Sequence, residues 1–239
     1  MKTWFYFLSC ALLLVCMGCE NTTKDIKFSK MSIIDRPVET FKRILIKSSN
    51  VNVYIKQGEV ETLKIEADES LIGTFSTTIE NESLIIEQNK ETDALSQQLI
   101  NFYITVKNIH TFSLYGQGQV FTEGNIKIDK LKVNLFGSVK ANFDVTGHEF
   151  LLKAMGSANI QIKGQVEIQK IYISGNGNYE AENLVSNEAY VYLKGASDAK
   201  INVIDDLTVQ ISGSGKIKYQ GLPQINQTIS GSGSIEAIK

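Results

Sequence analysis

I-S-G-S-G, at residues 211–215 and again at residues 229–233, is the stretch of sequence that decides the fold. Five earlier segments share its pattern of an apolar residue, any residue, glycine, any residue and a small side chain. The central glycines are Gly116, Gly137, Gly156, Gly175, Gly195, Gly213 and Gly231, with steps of 21, 19, 19, 20, 18 and 18 residues. A fixed period near twenty, filled with short alternating stretches, is typical of a β-solenoid. We therefore predict an all-β, single-stranded right-handed β-helix, whose hand follows from the usual sense of parallel crossovers.

Three positions in each repeat are predicted to form the core. The residues two before each glycine are all apolar: Leu114, Leu135, Ala154, Ile173, Leu193, Ile211 and Ile229. The column four before the glycine runs from Phe112 to Gln227, the column four after it runs from Val120 to Ile235, and both are almost wholly apolar. Stacked coils superimpose such columns at about 4.8 Å, which gives a continuous core. Each glycine marks a corner, because a sharp bend between strands often needs a positive φ.

The column directly before each glycine is expected to face outward, and it is where we expect a binding site. Its members are Tyr115, Phe136, Met155, Ser174, Lys194, Ser212 and Ser230, of which the first three are large and apolar. An exposed stripe of this kind usually marks an interaction site. Tyr172 and Tyr192, three before their glycines, form a second outward pair that could stack on sugar rings. The alternative, which we favour, is that residues 40–110 fold over the stripe, since the N-terminal strands must bury their own apolar faces.

The chain begins with a segment typical of export. Lys2 is followed by an almost wholly apolar run to Met17, which is short for a membrane span and suits a signal peptide. Gly18 and Cys19 resemble the bacterial lipobox, although Cys16 stands where leucine is usual. The resemblance implies cleavage after residue 18 and acylation of Cys19, with palmitate for example. A plain secretory signal and an uncleaved anchor are the alternatives. We expect a lipid anchor in the cell envelope, at the periplasmic face or cell surface of the outer membrane.

The remaining chain divides into a tether and one folded domain. Residues 19–39 are the lipidated cysteine and a polar stretch without sustained periodicity, which predicts a flexible tether. Residues 40–239 are predicted to fold, with N-terminal strands over 40–110 and the seven-coil repeat over 111–239. Period-2 alternation around Val53, Ile65 and Ile86 indicates half-buried strands. Residues 90–99 interrupt this pattern and form either a loop or one short helix.

Composition excludes several classes of function. Lys plus Arg is 24 and Asp plus Glu is 26, and a net charge of -2 gives no pull toward nucleic acid. All three cysteines lie in the first 19 residues and there are only two histidines, so a zinc site lacks ligands. No glycine corner continues as a phosphate-binding loop. We predict no cofactor, no metal site and no nucleic-acid partner.

A carbohydrate-active enzyme on a β-helix is the alternative function. Asp205 and Asp206 are adjacent, with Asp198 and Glu182 as neighbours on nearby coils. Adjacent strand residues point to opposite faces, so a solvated turn suits Asp205 and Asp206 better than a cleft. Calcium at Asp198, Asp205 and Asp206 is disfavoured because no Asp-rich repeat recurs. His110 is expected to pack in the interior and His148 to be exposed at a turn. We assign no catalytic residue and predict that the protein is not an enzyme.

The folded region of the sequence resembles a known protein family. Phe41 with Ile44 and Ile46, the later Leu84 and Ile86, and the repeated I-S-G-S-G corners are similar to the head GIN domain family of bacterial putative auto-transporter adhesins, over about residues 40–220. The resemblance implies a secreted or surface-anchored β-helix of poorly defined role, and no catalytic residue. The predicted function is a lipid-anchored binding or structural module, an adhesin, that presents its surface to a protein or glycan. A periplasm-facing scaffold or signalling component is a further option.

Overall fold

A computed structural model describes residues 30–89 and 98–238 as an all-β protein. Its twelve strands belong to one sheet, and its single short helix is α1, Glu69–Ile72. The strands are β1 Met31–Arg36, β2 Arg43–Lys47, β3 Val51–Gln57, β4 Thr62–Asp68, β5 Phe75–Glu80, β6 Ser83–Gln88, β7 Ile100–Val106, β8 Thr111–Thr122, β9 Ile126–Gly213, β10 Lys216–Gln220, β11 Gln224–Gly231 and β12 Ser234–Ala237. The signal peptide, Cys19, most of the tether and residues 90–97 lie outside the described residues.

The strand β9 is 88 residues long and folds back on itself at the corner glycines. A straight strand of that length would extend about 290 Å. Instead, a Cβ atom added to Gly137 would lie 2.0 Å from the carbonyl oxygen of Gly116, and the same relation joins Gly156 to Gly137 and Gly175 to Gly156. The corners therefore stack directly on one another. Gly137 has a φ of 124°, so both its conformation and its close contact require the absence of a side chain.

Successive repeats pair in parallel with the register that the glycine spacing predicts. Tyr115 pairs with Phe136 and Gly116 with Gly137 across β8 and β9, a step of 21 residues. At the other end, Ile229 pairs with Ile211 across β11 and β9, a step of 18 residues. The all-β class is thus confirmed.

The three predicted core columns are buried in the first six repeats. Ile173 is 2% exposed, and Tyr179, four residues after the corner Gly175, is completely buried. Burying an isoleucine side chain such as that of Ile173 stabilises the fold by about 1.5–3 kcal/mol. In the seventh repeat the prediction is wrong, because Ile229 is 37% exposed and Gln227 is also exposed. Both columns lack a further repeat to cover them within the described residues.

The N-terminal strands extend the stack of parallel strands before the first glycine repeat. The sheet order is β1-β4-β7-β3-β8-β2-β6-β5. Along β8, the first half pairs in parallel with β2 and the second half with β3, so β2 and β3 together take the place of a preceding repeat. β6 and β7 stack in parallel on β2 and β3 in turn. The corner between β2 and β3 lacks glycine and uses Asn50, whose φ is 60°.

Four local features differ from expectation. Part of the predicted tether forms β1, which pairs antiparallel with β4 and packs Ile34 against the core. The helix α1 was not expected; the Asp68 carboxylate caps its first turn by accepting a hydrogen bond from the Ser70 amide at 2.7 Å. His110 is exposed rather than packed, since the interior position next to it is filled by Ile109. His148 is half-buried and lies 2.7 Å from Glu167.

Candidate binding face

The predicted apolar stripe lies on an open surface of the sheet. Tyr115 is 45% exposed, Met155 is 55% exposed and Phe136 is half-buried. The favoured expectation that the N-terminal strands cover the stripe is therefore wrong. These strands add to the sheet edge to edge: Lys47 of β2 pairs with Tyr115 of β8, and Glu87 of β6 pairs with Lys47. The N-terminal region extends the face sideways and leaves its aromatic residues open.

Parallel register brings the aromatic side chains of neighbouring repeats into contact. The rings of Tyr115 and Phe136 stack with centroids 4.5 Å apart and an interplanar angle of 15°. Tyr172 and Tyr192 stack at 4.7 Å with parallel planes. Stacked aromatic pairs contribute about 0.5–1.5 kcal/mol beyond the area that they bury. Each ring therefore has one face covered by the other ring of its pair, and Tyr172 and Tyr192 are both half-buried.

A shallow groove of about 480 Å³ runs between the two outward columns. Tyr172 and Tyr192 line one side, and Met155 lies on the other side. The base is formed by residues of the buried column between them: Ala154, Ile173 and Leu193. The structure thus places three of the five predicted binding residues in one groove, while Tyr115 and Phe136 lie on the two repeats before it.

Several lysines lie close to the aromatic rings of this face. The Nζ atom of Lys153 lies 5.6 Å from the centroid of the Tyr172 ring, within the range of a cation–π interaction. Lys194 is exposed at the opposite wall of the groove. Lys170 lies 5.9 Å from the Tyr190 ring and also pairs with Glu149 at 3.0 Å. Lys153 and Lys194 form no ion pair within residues 30–89 and 98–238, so their charges are available to an anionic ligand.

Tyr190, Lys153 and Lys170 were missed by the sequence analysis, whereas Lys194 was expected in the outward column. Tyr190 belongs to the column five before the glycine, which also contains Lys132 and Lys170 and alternates with the predicted outward columns. Its hydroxyl donates a hydrogen bond to Glu188 at 3.0 Å, which raises the pKa of the phenol and keeps it protonated. The period-2 alternation that identified the other two columns was the available signal.

A second groove, of about 500 Å³, lies after the corners and is polar. Asp144 pairs with Lys163 at 3.2 Å, whereas the buried Oε2 atom of Glu182 lies 3.6 Å from the Lys200 amine and accepts no hydrogen bond within the described residues. Glu180 accepts a hydrogen bond from Gln161 at 3.0 Å. Of the carboxylates weighed for glycosidase chemistry, Glu182 alone lines this groove. Asp205 and Asp206 are exposed, and Asp198 accepts a hydrogen bond from the backbone amide of Lys216 at 2.9 Å.

The part of the chain that the structure describes contains no group of three or more metal-ligating side chains. Its one helix is too short and too polar to cross a membrane.

Comparison with known proteins agrees with this architecture. The model of the family described as "Putative auto-transporter adhesin, head GIN domain" matches residues 40–223. Its first residue coincides with the predicted start of the folded domain. No curated protein matches the chain.

Solved structures share the fold over almost their whole length. A putative adhesin from Bacteroides fragilis is 23% identical, with a TM-score of 0.81 over 87% of this chain and 97% of that one. A putative lipid binding protein from Parabacteroides distasonis is 19% identical, with a TM-score of 0.69 over 87% and 97%. A putative adhesin from Parabacteroides merdae is 20% identical, with a TM-score of 0.60 over 88% and 97%. At these identities the likeness concerns the fold alone.

Proposed function

The chain belongs to the head GIN domain family of putative auto-transporter adhesins, and we propose that it is a non-enzymatic binding module. Its binding site is the aromatic face defined by Tyr115, Phe136, Met155, Tyr172 and Tyr192. The observation that carries the proposal is the exposed groove in which stacked tyrosines meet two lysines that form no ion pair within residues 30–89 and 98–238. Exposed apolar surface of this kind is costly for a monomer unless a partner uses it.

The chemistry of the face favours an acidic glycan as the partner. A tyrosine ring can stack on the apolar face of a sugar ring, and the face of Tyr192 that is turned away from Tyr172 is available for this contact in the shallow groove. Lys153 and Lys194, on opposite walls, would neutralise carboxylate or sulfate groups on the sugar. The ladder repeats along the stack at about 4.8 Å, so successive repeats can contact successive units of a polymer.

A glycan-array screen of the chain from Glu20 onward tests this proposal. We expect acidic polysaccharides to bind, and we expect binding to weaken as salt is raised because lysine charges contribute. Phe136→Ser should weaken binding and lower the melting temperature by only about 2–4 °C, since it removes one surface stacking pair worth about 1 kcal/mol. Binding confined to proteins would overturn the glycan assignment. Cleavage of a bound glycan would favour the carbohydrate-active enzyme.

We further propose that the module is a lipoprotein of the cell envelope, anchored through Cys19 with residues 1–18 removed. A diacylated and N-acylated cysteine carries enough acyl chains to hold a protein firmly on a membrane. Residues 40–239 would then form a right-handed single-stranded β-solenoid that projects from an outer-membrane anchor. Cys19→Ser should release the protein from membranes or leave the signal peptide uncut. Processed, membrane-bound Cys19→Ser protein in cell fractionation would reject the anchor.

A further inference from the structure

The polar groove of about 500 Å³ lies in the middle of the stack, on the other side of the glycine corners from the aromatic face. Its floor is apolar and is formed by the buried side chains of Phe143 and Ile162. Its walls are two polar columns, five and seven residues after the corner, with Asn142, Gln161 and Glu180 on one side and Asp144, Lys163 and Glu182 on the other. The repeats of Gly116 and Gly195 flank these three repeats, so stacked coils bound the groove at both ends.

Three aromatic rings continue one wall of this groove toward the N-terminal strands. Phe121 pairs with Asn142, and the ring of Tyr54 stacks on that of Phe121 with centroids 5.4 Å apart. Tyr103 stacks on the other side of Tyr54 at 5.0 Å, and a smaller groove of about 190 Å³ runs beside these two tyrosines. From Tyr103 to Glu180 the column has six members, which at about 4.8 Å a step span about 24 Å. The two grooves therefore lie on one line that is long enough for several units of a polymer.

Charges of both signs line the two grooves, so neither an acidic nor a basic polymer fits both of them. Glu180 and Glu182 would repel an acidic chain at one end, and Lys56 would repel a basic chain at the other. A neutral chain that carries hydroxyl groups meets no such repulsion. Each hydroxyl can donate a hydrogen bond to a carboxylate and accept one from an ammonium group.

Two oxygen atoms in the walls of the polar groove lack a hydrogen-bond donor. They are the buried Oδ1 atom of Asn142 and the buried Oε2 atom of Glu182, and neither accepts a hydrogen bond within the described residues. Buried acceptors are normally satisfied, so each such atom requires an explanation. Rotation about the last side-chain torsion, which is soft for amides and carboxylates, would turn both oxygens toward hydroxyl donors in the groove.

We propose that the two grooves bind an extended neutral glycan, at a site separate from the aromatic face. An extended peptide suits the grooves less well, because they lie on the face of the sheet, where the backbone groups already pair with neighbouring strands. A chain of hydroxyl-bearing units instead bonds to side chains, which recur along both walls at the spacing of the repeats. The inference does not rest on the acidic ligand of the aromatic face, because the grooves of the two sites share no lining residue.

A glycan array of neutral glucans, mannans and galactans tests the site, with the full-length protein solubilised in a sugar-free detergent. At least one neutral glycan should bind, and its affinity should rise with chain length until the line of grooves is filled. Added salt should leave this affinity unchanged, because the ligand carries no charge to be screened. No binding by any neutral glycan, or binding that weakens with salt, would overturn the proposal.

Paired variants locate the site by isothermal titration of the neutral glycan that binds. The double variant Gln161→Ala and Glu180→Ala removes two hydrogen-bonded neighbours from one wall, and it should weaken affinity by about tenfold or more. The matched control is Lys218→Ala and Glu236→Ala, because these exposed residues pair in the same column beyond the groove. The control should change affinity less than about twofold. Circular dichroism checks that both variants fold, and equal affinities of the two would overturn the proposal.

The double variant Tyr172→Ala and Tyr192→Ala separates this site from the aromatic face. It should leave the affinity for the neutral glycan within about twofold of the original value, while acidic glycans should still bind the variant Gln161→Ala and Glu180→Ala. A failure of acidic glycans to bind the original protein would count against the proposed function alone. Loss of the neutral glycan from the tyrosine variant would overturn the second site.

Discussion

The first and last repeats have the same glycine pattern but different surroundings. In the first repeat, Leu114 is fully buried because β2 lies on one side of β8 and the second repeat on the other. In the seventh repeat, the equivalent Ile229 is 37% exposed because β11 has one described neighbour. The pattern sets the register in both places. Burial, and with it the energetic weight of a residue, depends on whether a further layer is stacked on top.

The largest expected effect contrasts the middle of a core column with its end. Ile173→Asp places a carboxylate among buried apolar side chains, so we expect the free energy of unfolding to fall by about 4 kcal/mol or more. Ile229→Asp in the same column should cost about 1 kcal/mol, because solvent already reaches the side chain. Urea unfolding at low protein concentration measures both, with the exposed Lys216→Asp as a control. Equal losses for Ile173→Asp and Ile229→Asp would contradict the difference between middle and end.

A glycine series separates stacking from backbone conformation. Gly156→Ala should cost about 3 kcal/mol, because φ is 114° and the new Cβ would lie 2.4 Å from the Gly137 carbonyl oxygen. Gly124→Ala should cost about 1–2 kcal/mol, since φ is 83° but no atom lies within 4 Å. Gly73→Ala, with a φ of −70° and open space, should change stability by less than about 1 kcal/mol. Thermal unfolding that ranks the three differently would refute stacked corners.

The smallest expected effect is a pH dependence that belongs to the N-terminal strands. Glu66 accepts hydrogen bonds from Asn101 at 2.8 Å and from Tyr103 at 2.7 Å, and these lower the pKa of its carboxyl. A lowered pKa means that the unfolded state binds the proton more readily. Stability from this group is therefore present above the ordinary value of 4.5 and is lost as the pH falls through the lower folded pKa.

Glu66→Gln should flatten the acid limb of the stability curve, as followed by urea unfolding from neutral pH to below 4.5. The hydrogen bond from Tyr103 to Glu66 is also the main reason why the pKa of Tyr103 is raised to about 12. The stabilisation that Tyr103 contributes is therefore lost as the pH rises above 10 toward 12. Glu188→Gln, on the repeats, is a control for the removal of a surface carboxylate bonded to a tyrosine. An acid limb unchanged by Glu66→Gln would contradict this role.

The sequence predicted the repeats well because their core columns and corners recur. Ile173 and its five buried equivalents share one environment, so one alignment identifies buried and outward positions together. The N-terminal strands have no such recurrence. β2 and β3 take the place of a preceding repeat with Asn50 at the corner, and a glycine pattern cannot reveal that substitution.

The remaining misses have a common physical origin in long-range pairing. β1 is stabilised by β4, about thirty residues later in the chain, so its own composition resembles a tether. We expected the N-terminal strands to cover the aromatic stripe. Whether they do depends on whether they add to the sheet edge to edge or pack against it face to face. Alternation within a strand is the same in both arrangements. The groove itself requires the exact stacking of Met155, Tyr172 and Tyr192 from three repeats, which the spacing of their glycines does specify.

The central claim is that the aromatic repeats, and not the plain repeats that follow them, bind the partner. Isothermal titration of an acidic glycan selected on the array tests it, with the double variant Tyr172→Ala and Tyr192→Ala against the control Thr228→Ala and Ser230→Ala, two exposed residues of the seventh repeat that do not line the groove. Loss of the two rings should raise the dissociation constant by about tenfold or more, while the control should change it less than about twofold. Unfolding curves should show both variants folded. Equal affinities for the two double variants would contradict the account.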